Sequence, residues 1–223
     1  SANRGSAPSG VPATMSATVR HRYGPADAVT IERVPVPEPG PNQVLVEVVA
    51  AGLDRGVWHL MTGKPYLLRL AGFGVIRPKE PVLGTDVAGR VVAVGSSVTQ
   101  FAPGDEVMGI ASGSFAEYAV GDEAKLALKP ASISFDEAAS STISGITALQ
   151  ALTTVGRVEA GLSVLVIGTS GGVGSFAVQI AKALGATVTG VASAAKLDFV
   201  SSLGADSVVD RAATDLGDLD DRF

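Results

Sequence analysis

The spacing of apolar residues changes twice along this 223-residue chain, and each change marks a different kind of element. In the first half, short strand-like runs fall at residues 17–21, 29–34, 43–50, 87–94, 106–110 and 115–120. Turn formers such as Pro39-Gly40-Pro41 and Pro103-Gly104-Asp105 punctuate them. Short strands at this spacing predict a compact β-rich domain. From Ser134 the period lengthens: Ser134-x-x-Glu137 is a capping-box pattern, and alanine-rich helical sequence follows to Ala151. This places a domain boundary near residue 135, with residues 1–14, rich in Ser, Ala, Gly and Pro, as a tail or tag remnant.

Between Ser163 and Lys196 the pattern alternates again. Val164-Leu165-Val166-Ile167 is a continuous apolar run, as expected of a strand with both sheet faces covered. After Gly168, Gly171, Gly172 and Gly174, apolar residues fall at 173, 176, 177, 180, 181 and 184, one face of a helix. Gly185 stops that helix, and residues 186–192 predict a second strand. Strand, glycine turn, helix, strand is the arrangement that holds dinucleotides. Residues 197–203 then predict a helix ending at Gly204, residues 207–210 a third strand, and Asp215, Asp218, Asp220 and Asp221 a polar loop.

The glycines have a chemical reading. A pyrophosphate accepts hydrogen bonds from free amides at a helix N-terminus, and backbone that approaches so closely leaves no room for a Cβ. Gly171 and Gly174 match the last two glycines of G-x-G-x-x-G, while Thr169 stands where the first would be and Gly168 is displaced by one. The setting, after a strand and opening an amphipathic helix, carries the assignment. Ser170, Gly171, Gly172, Val173 and Gly174 are therefore the candidate cradle.

Composition narrows the classes. Apolar residues make up 46% and charged residues 17%, which predicts a packed globular protein. A net charge of −5 argues against a nucleic-acid partner. No apolar run reaches the length of a membrane span, and residues 1–14 lack a signal-peptide core. The chain has no cysteine, so disulfides and thiolate-bound zinc are excluded; that fits a cytoplasmic location.

Three motifs in order carry a family resemblance: Pro81-Val82-Leu83-Gly84-Thr85-Asp86-x-Ala88-Gly89, then Gly104-Asp105-x-Val107-x-Gly109, then Phe115-Ala116-Glu117-Tyr118. With Thr147-Ala148-Leu149 and Ser170-Gly171-Gly172-Val173-Gly174, the chain resembles medium-chain dehydrogenases/reductases, in the zinc-independent quinone oxidoreductase branch. The resemblance covers about residues 15 to 223. It implies an α/β protein: a GroES-like β-rich catalytic domain over residues 15–135 and the first half of a Rossmann doubly wound parallel sheet over residues 136–223. It further implies a cytoplasmic homodimer in a longer parent, since relatives continue with the second half of the sheet. On this reading Val164–Ile167 would be an apolar sheet edge.

The cofactor reading follows from a missing acid. NAD sites place a carboxylate at the end of the second strand, about 20 residues after the glycines. Here Ser193 holds that place and Lys196 follows, a pair that accommodates a 2′-phosphate. Arg211 falls where related quinone oxidoreductases place another contact to that phosphate. The expected cofactor is NADPH.

Zinc-dependent members need Cys and His ligands. With no Cys, with His21 and His59 alone, and with Asp54 at the family's first ligand position, no metal is expected. The expected reaction is hydride transfer to a small-molecule quinone or enone, a reaction in which the protein orients the reactants and donates to developing enolate charge. Asp54, Trp58, His59 and Tyr66 are the candidate lining residues. An ionised Asp54 accepts but does not donate, so it would orient His59 or bind a ribose hydroxyl while His59 or Tyr66 donates. Thr147 resembles the family threonine near the nicotinamide ribose. Arg69, Arg77 and Lys79 lie in a Gly- and Pro-containing loop, either solvated or a substrate lid. Two alternatives stay open: a non-catalytic nucleotide-binding fragment, and an alcohol dehydrogenase, which the ligand count disfavours.

Overall fold

The structure, a computed structural model, describes residues 10–67, 69–215, 217 and 223. Of the expected tail, residues 1–9 lie outside the described residues, as do Asp218, Asp220 and Asp221 of the expected polar loop. The chain divides into two compact units, Ser1–Thr142 and Ile143–Phe223.

The first unit is built on β-strands. β1 (Thr14–Arg20) and β2 (Val29–Pro35) form an antiparallel pair. β3 (Gln43–Gly52), β4 (Asp86–Val94), β5 (Glu106–Ser112) and β6 (Tyr118–Leu128) close into a barrel. Alternate residues point inward, so Val44, Val46, Val87, Val91, Val107 and Ala119 fill its core. β6 runs past the expected end at Val120, because the polar stretch Asp122 to Lys125 interrupts the apolar run without breaking the strand: Leu126 and Leu128 still pair with Gly109 and Val107. Between β3 and β4 sits α1 (Arg55–Thr62), ended by Gly63 in the left-handed conformation at φ +62°.

α2 (Phe135–Gln150) begins as the capping box predicts. The Ser134 amide donates to the Glu137 carboxylate at 2.7 Å, and the Glu137 amide donates to Ser134 Oγ at 3.2 Å. The division between units falls inside this helix, beyond the boundary expected near residue 135, because its first turns bury Ala138 and Ala139 with Ala88 of the barrel.

The second unit is a three-stranded parallel sheet in the order β7 (Ser163–Ile167), β8 (Thr187–Ala192), β9 (Ser207–Asp210). α3 (Gly172–Ala183) joins β7 to β8, and α4 (Leu197–Ser202) joins β8 to β9. Val178, Ala181 and Val188 pack with Ala148 and Leu152 of the α2 region. The expected two-sided burial belongs to β8, the middle strand, rather than to β7: Val188 and Val191 are fully buried, whereas Ile167 is 66% exposed. No described helix is long and apolar enough to cross a membrane.

Candidate functional site

The glycine turn of the second unit is assembled from four residues with different tasks. Gly168 has φ +79°, a conformation that side chains disfavour, and it turns the chain out of β7. Thr169, in the place of the motif's first glycine, is fully buried. Its hydroxyl and its amide both donate to the Val191 carbonyl, at 2.9 and 3.1 Å, which ties the turn to the end of β8. A Cβ on Gly174 would lie 2.3 Å from the Gly168 carbonyl oxygen, so the helix could not seat against the turn. Gly171 differs: a Cβ there would meet nothing nearer than 3.4 Å. Its side faces open space over the start of α3, where the amides of Gly172, Val173 and Gly174 have no acceptor within the helix. Ser170, Gly171, Gly172 and Val173 are exposed there.

The sheet brings the next candidates to the same strand ends. Ser193 directly follows β8 and Lys196 closes the short turn after it, its amide donating to the Ser193 carbonyl at 2.8 Å. The Arg211 amide donates to the Ala192 carbonyl at 3.0 Å, so the residue after β9 is fastened beside the end of β8. All three side chains are exposed, and among the described residues neither Lys196 nor Arg211 forms an ion pair. No carboxylate follows β8 before Asp198. Thr147 lies on α2, where its hydroxyl donates to the Ile143 carbonyl at 2.7 Å. The same helix places Ser144 Oγ 2.7 Å from where a Gly172 Cβ would stand.

In the first unit, Asp54 is the N-cap of α1, accepting from the Val57 amide at 2.9 Å, a cap that contributes about 1 kcal/mol. Asp54 and Trp58 line an apolar pocket of about 500 Å3 together with Leu53, Val57, Leu83 and Phe115. The Arg55 guanidinium stacks 4.7 Å from the Trp58 ring. His59 meets Trp58 edge-on at 5.0 Å, but its ring is oriented by the Lys64 carbonyl, 2.7 Å from Nδ1, and not by Asp54. Because a carbonyl only accepts, Nδ1 carries the proton, and neutral His59 presents Nε2 as an acceptor.

Tyr66 is 65% exposed, with the Arg69 guanidinium 4.9 Å from its ring. Arg69 also lies 4.3 Å over Tyr23 and donates to the Gly63 carbonyl at 3.0 Å, so it fastens the segment after α1. A second opening, a cleft of about 410 Å3, is lined by Arg20 and Thr85 among others. Thr85 lies within a motif plain in the sequence, but a buried hydroxyl without a partner leaves no mark in residue order.

Residues 40–131 match the alcohol dehydrogenase GroES-like domain, and residues 172–222 match the zinc-binding dehydrogenase domain. A chloroplast envelope quinone oxidoreductase homolog of Arabidopsis thaliana is 40% identical over 194 residues, 80% of this chain and 55% of that protein. The chloroplastic NADPH-dependent alkenal/one oxidoreductase of the same plant is 38% identical over 226 residues, 96% of this chain and 56% of that protein. The quinone oxidoreductase structure from Coxiella burnetii superposes with a TM-score of 0.81 at 33% identity, covering 91% of this chain and 64% of that one. The chain belongs to the medium-chain dehydrogenase/reductase family.

As a medium-chain dehydrogenase/reductase, the chain spans a little over half the length of the curated relatives it matches. The expected GroES-like barrel and parallel sheet are both present. The zinc named in one matched domain has no ready ligand set: among the described residues, no three His, Cys, Asp or Glu side chains are grouped as a metal requires.

Proposed function

We propose that the protein is an NADPH-dependent reductase that delivers hydride to the activated double bond of a quinone or an enone. The observation that carries this reading is the exposed start of α3: Gly172 and Val173, whose amides have no acceptor within the helix, are exposed, and the neighbouring strand ends offer Ser193, Lys196 and Arg211 in place of a carboxylate. A relative named as an NADPH-dependent alkenal/one oxidoreductase supports the substrate class, as does the apolar pocket beside Asp54 and Trp58.

When bound, the reduced nicotinamide supplies the hydride. The chain's own residues divide the remaining work. The amides of Gly172, Val173 and Gly174 hold the pyrophosphate. Ser193 donates to the 2′-phosphate, while Lys196 and Arg211 offset its charge. Thr147, its hydroxyl hydrogen engaged by Ile143, accepts from a ribose hydroxyl. Tyr66 donates to the oxygen on which enolate charge develops. His59, with Nδ1–H fixed on Lys64, delivers a proton only from its imidazolium form.

NADPH is expected to bind more tightly than NADH, and Lys196→Ala to weaken NADPH alone. Loss of one charged hydrogen bond amounts to roughly 1.5–3 kcal/mol, about ten- to a hundredfold in dissociation constant. Fluorescence titration with both cofactors checks this, and equal affinities in the unsubstituted protein would sink the assignment. Reductase activity is also expected to survive prolonged chelation, with no stoichiometric zinc by elemental analysis. Activity lost to a chelator and restored by zinc would revive the alcohol dehydrogenase reading.

A further inference from the structure

Arg20, the last residue of β1, is only 4% exposed. Its Nη1 donates to the Leu60 carbonyl and its Nη2 reaches the Glu80 carbonyl at 3.4 Å, while its Nε–H has no acceptor. Among the described residues no carboxylate pairs with it. Arginine keeps its charge even where burial disfavours it, and burial does hold this group below its ordinary pKa. A charged guanidinium in a low-dielectric setting without a counter-ion is unfavourable, and an anion that reaches it relieves that penalty.

The surroundings are those of a binding site. Arg20 lines the cleft of about 410 Å3, whose walls include Val82, Leu83 and Ile110. Thr85 lines the same cleft, and its buried hydroxyl has no partner either. The other charges along the cleft are Lys79 and Lys125 against Glu80 and Asp122, all four exposed. Those pairs offset one another and are screened by salt. The buried guanidinium is the charge that remains.

We infer that the substrate is apolar and bears a carboxylate, with that carboxylate on Arg20 in this cleft and a further substrate oxygen accepting from Thr85. The inference rests on the reductase reading for which bond reacts: it narrows the substrates to enone or quinone acids. The competing role for Arg20 is purely architectural, tying the end of α1 to the segment before β4 through the two carbonyls.

A matched pair of probes separates these roles: 4-phenylbut-3-en-2-one and the same enone with a carboxylate on its ring. Trp58 is the single tryptophan and lies two residues from Leu60, so its fluorescence reads binding without turnover. The carboxylated enone is expected to bind at least about tenfold more tightly than the neutral one. Arg20→Met should bring that ratio down to about one. Arg20→Lys keeps the charge but loses the fork of donors, so it should leave an intermediate ratio even if the methionine variant folds poorly. Equal affinities in the unsubstituted protein, or a ratio unmoved by either substitution, overturn the inference. Preferential binding of the acid without NADPH-dependent reduction of either probe overturns the reductase reading and leaves the carboxylate site standing. Reduction of the neutral enone with no preference for the acid does the reverse.

Discussion

Gly171→Val should leave the protein folded and raise the dissociation constants of NADPH and NADH alike by about a hundredfold or more. Gly171 caps α3 with φ −86° and ψ 169°, extended backbone that any residue adopts. A Cβ there would touch only the Gly168 carbonyl oxygen, at an ordinary 3.4 Å, and the residue is exposed. The fold therefore has little reason to object. The valine methyls would instead stand over the first-turn amides of α3, where a pyrophosphate must approach backbone. Gly174→Val is the poorer test, because a Cβ 2.3 Å from the Gly168 oxygen and 2.7 Å from Thr169 Cα would force the turn itself apart. Circular dichroism and a titration with both cofactors check the Gly171 variant together. A folded variant that binds normally would put the pyrophosphate somewhere else.

The contrast between those glycines shows where residue order stops being informative. Periodicity and punctuation identify β7, α3, β8, α4 and β9 almost to the residue, because each is a local pattern closed by a glycine or a cap. The glycine tasks are not local. Gly174 is needed because backbone from five and six residues earlier passes behind it, and Thr169 substitutes for a glycine because its hydroxyl finds Val191, 22 residues on.

The first unit shows the same division. Asp54 and Trp58 line one apolar pocket, but the partner of His59 is a main-chain carbonyl, Lys64, which carries no side-chain signature. Arg20 is the extreme case. In sequence it sits among Thr18, Val19 and His21 as an ordinary strand-end charge. Its burial and its unmatched Nε come from chain brought in from residues 60 and 80.

The 223 residues produced by themselves are expected to self-associate. β7 pairs with β8 along one side, and among the described residues no strand pairs with its other side. An open strand edge presents unpaired amides and carbonyls, a template for another chain. Apolar side chains strengthen that template: Leu162 is 48% exposed and Ile167 66% exposed. Charged residues at a strand edge are the usual protection, and residues 162–167 read Leu-Ser-Val-Leu-Val-Ile, with none. Ile167→Lys should therefore shift the population toward monomer. Its effect on thermal stability should be small, within about 0.5 kcal/mol, because the side chain is largely in solvent already. Sedimentation velocity checks the self-association. A stable monomer over a wide concentration range would overturn the edge argument.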